Sequence, residues 1–207
     1  DTITNSGADV ALTVYGYSAD FDSGTAITGG SGVDELVISA NATGTALIDG
    51  GYTYIDKITI ADSVLSDAQT TTLTMTSYAT ANIVVDASAL DVGENTILTL
   101  SSGTTLQTIT GGEGTDSVTG GALGDVITTS GGADTIDGGT GLDNISSGAA
   151  NDFINVATAA AFYTTLGTDT VDAGAGTGDE LEFDAAVVLT TARTANISGV
   201  EKLDLTT

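Results

Sequence analysis

The sequence predicts an all-β chain with a parallel β-roll at 101–155, flanked by strand-rich β-sandwich or β-solenoid segments. Three observations predict it. Aspartates recur in steps of nine at Asp116, Asp125, Asp134, Asp143 and Asp152. Two residues after each stands a β-branched aliphatic: Val118, Ile127, Ile136, Ile145 and Ile154. Glycine-rich turns precede them, clearest in GGEGTDSVT at 111–119 and GGTGLDNIS at 138–146. A fixed short period with one apolar and one charged position per unit marks a coil repeated along an axis.

The elements follow in order. Residues 1–100 form a strand-rich region, with the short runs ELVIS, TALID, DKITI, TTLTMT, NIVVDA and NTILTL between turns. Such spacing suits many short strands. The single unit GGSGVDELV at 29–37 stands isolated within it. The nine-residue frame steps back from Val118 to Ile109 and then Leu100. The unit 102–110 keeps the frame but has Gln107 in the aspartate place, which reads as a first coil without metal. Beyond Ile154, Ala161 takes the aspartate position and Tyr163 the apolar one; a variant unit at 172–181 then carries Asp179. Residues 156–207 read as a cap followed by a second strand-rich region. Asp62–Ala68 and Val156–Tyr163 are weak helix candidates. A longer repeat also shows: Lys57 follows Asp34, and Lys202 follows Asp179, by the same 23 residues.

Composition narrows the function. The chain has 207 residues, 28 acidic against 3 basic, and a net charge of −25. Nucleic acid and membrane insertion are therefore not expected. Twenty-two of the acids are Asp, which favours turns and short-reach metal coordination. Cys, His, Trp and Pro are absent. That excludes disulfides, thiolate sites, Ser-His-Asp triads and histidine metal sites. Oxygen alone remains as ligand, which means a hard cation. The chain starts without Met and reads as part of something larger.

The period itself calls for such a cation. Six turn residues and three strand residues make half a coil, so alternate units face opposite edges. Asp116, Asp134 and Asp152 line one edge; Asp125 and Asp143 line the other. Parallel strands pair about 4.8 Å apart. Two carboxylates stacked at ~5 Å repel by roughly 3 kcal/mol at an effective dielectric of 20. No basic side chain lies within the roll. Carbonyls and carboxylates in a flexible cage suit Ca²⁺ better than Mg²⁺, which demands tighter geometry and keeps its waters. Six inward aliphatics do not offset the ordering of some fifty residues, so 111–155 is expected to fold only when Ca²⁺ binds.

At these residues the chain resembles the RTX (repeat-in-toxin) nonapeptide family, GGxGxDxUx, with U a large aliphatic. Units 111–119, 138–146 and 29–37 match at every fixed position. Units 120–128, 129–137 and 147–155 depart at glycine positions but keep Asp and the aliphatic. The resemblance implies Ca²⁺ sites between units two apart, each with carbonyl and carboxylate oxygens. One would use Gly112, Gly114, Asp116, Thr129, Gly131 and Asp134. A second would use Gly121, Leu123, Asp125, Gly138, Thr140 and Asp143, and a third Ser130, Gly132, Asp134, Ser147, Ala149 and Asp152. Asp34 and Asp179 are candidates for terminal or isolated sites.

With its Thr/Ala-rich short strands, few Lys and Arg, and segments such as NISGVEKLDLTT at 196–207, the remainder of the chain is similar to bacterial surface-layer proteins exported by type I secretion. That resemblance implies a secreted, non-enzymatic cell-surface component that assembles with copies of itself, in a lattice or fibre, when Ca²⁺ binds. Cell-surface polysaccharide is a second candidate partner. An adhesin or filament module is the alternative, and the calcium roll of a secreted hydrolase a third reading. Asp20/Asp22 and Asp179/Glu180/Glu182 are the carboxylate clusters a glycosidase would need. Tyr52 and Tyr54 are candidates for an aromatic sugar platform.

Overall fold

The computed structural model describes residues 2–4, 11–22, 24–40, 44–49, 51–62, 69–76, 82–100, 106–156, 169–183 and 194–205. All strand pairing within them is parallel. A nine-stranded sheet stacks Thr13–Tyr17, Glu35–Ala40, Lys57–Asp62, Ile83–Asp86, Gln107–Thr110, Val126–Thr128, Asn144–Ser146, Thr170–Asp172 and Ile197–Ser198. An eight-stranded sheet stacks Gly44–Ile48, Thr70–Met75, Asn95–Leu100, Ser117–Thr119, Thr135–Asp137, Phe153–Val156, Glu180–Phe183 and Lys202–Asp204. From Lys57–Asp62 onward the chain alternates between the two, so each of those coils gives one strand to each sheet. A small third sheet joins Thr2–Thr4, Ala26–Thr28 and Tyr52–Thr53.

The fold is therefore a parallel β-solenoid. Of the two architectures expected for the flanks, solenoid is the one observed. Both sheets run through residues 100 and 156 without a break, so the nonapeptide coils and their neighbours share one core. The reason lies in strand period. Alternate residues face opposite ways, and each short strand has one or two aliphatics of the same parity. Those side chains stack into two columns. Ile58, Val85, Ile109, Ile127, Ile145 and Val171 stand in register on one sheet. Leu73, Leu98, Val118, Ile136, Ile154 and Leu181 do so on the other. All are buried. Ile136→Ala, between Val118 and Ile154, is expected to cost about 2–5 kcal/mol, measured by chemical denaturation; a cost below ~1 kcal/mol would mean that the column is not the core.

Three details depart from the periodic reading. The residue stacked on Val118 is Leu98, not Leu100; that step is twenty residues, and the extra two are taken up before the turn at 111–116. Leu100 is buried one inward position further along the same strand. The paired motifs Asp34/Lys57 and Asp179/Lys202 form the same local device on opposite sheets. Glu35 lies in register with Lys57, which also meets Asp86, at 3.5 and 3.0 Å respectively. Glu180 lies in register with Lys202 and pairs with it. The longer repeat is thus offset by half a coil. Asp62 ends a strand and Val156 ends another; the rest of both helix candidates, with Ala161 and Tyr163, lies outside the described residues.

Candidate metal centre

In the nonapeptide coils, six-residue turns join the sheets along two rims. On rim one, Thr96, Asp116, Asp134, Asp152, Asp179 and Glu201 occupy one column. On rim two, Gln107, Asp125, Asp143 and Asp169 do so, and Asp34 and Asp56 lie further up the same rim. The five nonapeptide aspartates are 1–4% exposed. Their charge is held where the chain turns from one sheet to the other.

Each carboxylate reaches back one coil. Asp134 Oδ1 accepts the Asp116 N–H at 2.8 Å, Asp152 Oδ1 that of Asp134 at 2.9 Å, and Asp179 Oδ1 that of Asp152 at 2.8 Å. On rim two, Asp143 Oδ1 accepts the Asp125 N–H at 2.8 Å and Asp169 Oδ1 that of Asp143 at 2.9 Å. Asp34 Oδ1 accepts the Leu12 N–H. Turn-strand junctions have backbone donors with no sheet partner, and the ladder answers them. It also closes the turn: Gly112, Gly121 and Gly30 N–H donate to Oδ2 of Asp116, Asp125 and Asp34.

Three carboxylates are different. Oδ2 of Asp134, Asp152 and Asp179 is buried with no hydrogen-bond donor among the described residues. The hydroxyls of Thr129 and Ser147 lie against the first two. Their single protons go elsewhere, to Ser147 O at 2.8 Å and Ala173 O at 3.0 Å. An unpartnered buried carboxylate oxygen is costly. Burial pushes the Asp134 carboxyl up to about 7, helped by the charges of Asp116 and Asp152. Burial likewise raises Asp143 to about 7, with Asp169, Asp125 and Asp137 adding to it. Asp116, Asp125, Asp152 and Asp169 are raised too, first by burial.

The turns holding these acids lie directly on one another. Gly131 N–H donates to Gly112 O at 3.4 Å, Thr140 to Gly121 O at 3.0 Å, and Ala149 to Ser130 O at 3.1 Å. The structure thus brings together the three turn pairs of the expected sites. The contact is so close that a Cβ on Gly132 would fall 2.3 Å from Gly114 O, and one on Gly141 2.5 Å from Leu123 O. Gly138 lies under the Asp143 carboxylate, leaving no room for a side chain. Carbonyl oxygens have two lone pairs, so those already accepting an N–H keep one for a cation.

The donor set fits a hard cation. It is oxygen only, acceptor-rich and partly unsatisfied. No three acidic side chains converge among the described residues, so an ion here would be held by two carboxylates plus turn carbonyls. When bound, Ca²⁺ would neutralise stacked charge and tie neighbouring coils together.

Asp169 escaped the sequence reading, because it follows Asp143 by 26 residues instead of 18. The other candidate groups separate. Tyr52 is buried and Tyr54 is 55% exposed, so the pair presents no common platform. Asp22 caps Gly24 and Thr25 in a turn, and Asp20 accepts the Tyr17 N–H. Asp179 belongs to the ladder, and Glu180 to the pair with Lys202. No protein-family model, curated protein or solved structure matches the chain.

Proposed function

We propose that this is a calcium-binding structural protein of a bacterial cell surface, which takes up Ca²⁺ along its rims and then assembles with copies of itself. The observation supporting the metal is Oδ2 of Asp134, Asp152 and Asp179, buried without a donor among the described residues in a ladder of like charge. Assembly and location rest on the resemblance of the nonapeptide units and of the Thr/Ala-rich, Lys- and Arg-poor remainder, with its NISGVEKLDLTT segment, to surface-layer proteins.

Calorimetric titration of the chain with CaCl₂ tests the metal. Ligation requires deprotonated carboxylates, so proton release near pH 7 should make the heats vary with the buffer's ionisation enthalpy. A flat titration in every buffer would remove the reading. Electron microscopy with Ca²⁺ and with chelator tests assembly: sheets or fibres confined to the calcium sample are expected, and isolated particles in both would leave only an ion-binding module.

A further inference from the structure

Rim one does not stop where the aspartates stop. In the two coils before Asp116, its column is occupied by threonines, Thr96 and Thr71. Thr96 gives both its N–H and its hydroxyl to Asp116 Oδ1, each at 2.8 Å. Acidic oxygen enters instead from two residues earlier, at Glu94, which is only 4% exposed. Glu94 Oε2 accepts the Asp91 N–H at 3.1 Å, while its Oε1 is buried and has no donor among the described residues.

The coil before repeats the pattern. Asn95 pairs in register with Thr70, and its N–H donates to Gln69 O at 2.7 Å. Gln69 therefore stacks on Glu94. It is 6% exposed, and its Oε1 is likewise buried without a donor. Asp62, at the end of the strand entering that turn, comes within hydrogen-bonding reach of the Glu94 carboxyl. The Asp62 and Glu94 carboxyls thus come together, with Gln69 stacked on Glu94 and no basic partner among the described residues; Arg193, the third basic residue, lies outside them. Lys57 is held by Glu35 and Asp86, and Lys202 by Glu180.

Two acids in contact need either a shared proton or a shared cation. A proton would satisfy Glu94 and Asp62 but leave Gln69 Oε1 unpaired. A cation serves all three.

We propose that Glu94, Asp62 and Gln69 hold a hard divalent cation, Ca²⁺ by its tolerance of mixed carboxylate and amide oxygens, at a site outside the nonapeptide units. The site would carry the line of ions on rim one two coils toward the N-terminus. It goes beyond the function proposed above, whose candidate ligands on this rim begin at Gly112.

The test is the number of Ca²⁺ bound per chain, by equilibrium dialysis at neutral pH, for the parent, Glu94→Gln, Asp62→Asn and Asp134→Asn. Glu94→Gln and Asp62→Asn should each lose one ion and retain the rest. Asp62 is exposed at a strand end, so Asp62→Asn reports on the site even if Glu94→Gln does not fold. If Asp134→Asn loses ions while both other variants keep the parental number, this inference is wrong and the nonapeptide reading stands. The converse result would sink the nonapeptide reading and keep this one. A protonated-carboxyl infrared band that persists in saturating Ca²⁺ and disappears in Glu94→Gln would show that the pair shares a proton, and would overturn the site.

Discussion

In chelator, the thermal midpoint of the chain is expected to fall as the pH is raised from about 4 to about 7.5, the window between an ordinary carboxylate and the raised groups. Calcium is expected to reverse the trend. The buried ladder acids are raised, and Asp134 and Asp143 stand at about 7. Between the unfolded value near 4 and the folded value, the native chain binds more protons than the unfolded one, so stability declines as pH rises. The stabilisation is fully present below the unfolded value and is lost as pH passes the folded one. Allowing about 2 kcal/mol for each of Asp134 and Asp143, the midpoint of a chain this size falls by on the order of 10 °C. Calcium competes with those protons, so its stabilising effect grows with pH. Circular dichroism melts at a series of pH values, in chelator and in millimolar Ca²⁺, give the comparison. A metal-free midpoint that climbs toward neutral pH would contradict the electrostatic account of the ladders. A fully folded, calcium-insensitive chain at pH 7.5 would also contradict the expectation that 111–155 needs the ion to fold.

Gly132→Ala should be among the most damaging single substitutions. Gly132 has φ +90°, a backbone state that L side chains rarely adopt, and its missing Cβ would lie 2.3 Å from Gly114 O. Strain of ~1–3 kcal/mol adds to overpacking of ~1–3 kcal/mol. The neighbouring turn cannot retreat, because Gly112 O and Asp116 O are both bonded to the coil containing Gly132. The total expected loss is about 3–5 kcal/mol. Ala150 is the internal control. It has φ +87° at the corresponding place one coil on, so the chain already bears the strain there. Ala150→Gly is expected to be stabilising by up to about 1 kcal/mol, relief of strain offset by the entropy of glycine. Denaturant midpoints of the two variants against the parent decide it. Equal midpoints for Gly132→Ala and the parent would mean that the turns do not stack as closely as described.

The periodic centre of the fold was legible residue by residue. Val118, Ile127, Ile136, Ile145 and Ile154 face inward because each stands two places after a turn aspartate, and a strand returns to the same face every second residue. The alternation of Asp116 and Asp134 against Asp125 and Asp143 between rims follows from half a coil per unit. Gln107 was legible as an uncharged member of the ladder: it fills the place below Asp125 and gives that residue its N–H. The flanks were harder. Their coils vary in length, so Leu98 replaces Leu100 beneath Val118, and Asp169 joins its ladder after a longer excursion. Glu94 and Gln69 carry no motif, and only stacking sets them on the same rim.

By itself the sequence determined which side chains point inward and where turns must bend, since both depend on neighbours a few residues apart. Tertiary structure alone decided which residues stack on which. Extra residues between strands leave strand parity undisturbed, so the partner one coil away can lie 18, 20 or 26 residues distant with the same local pattern. That stacking, and not the period, determines that Asp116 and Asp125 have all their oxygens bonded while Asp134, Asp152 and Asp179 each keep one buried oxygen without a donor among the described residues.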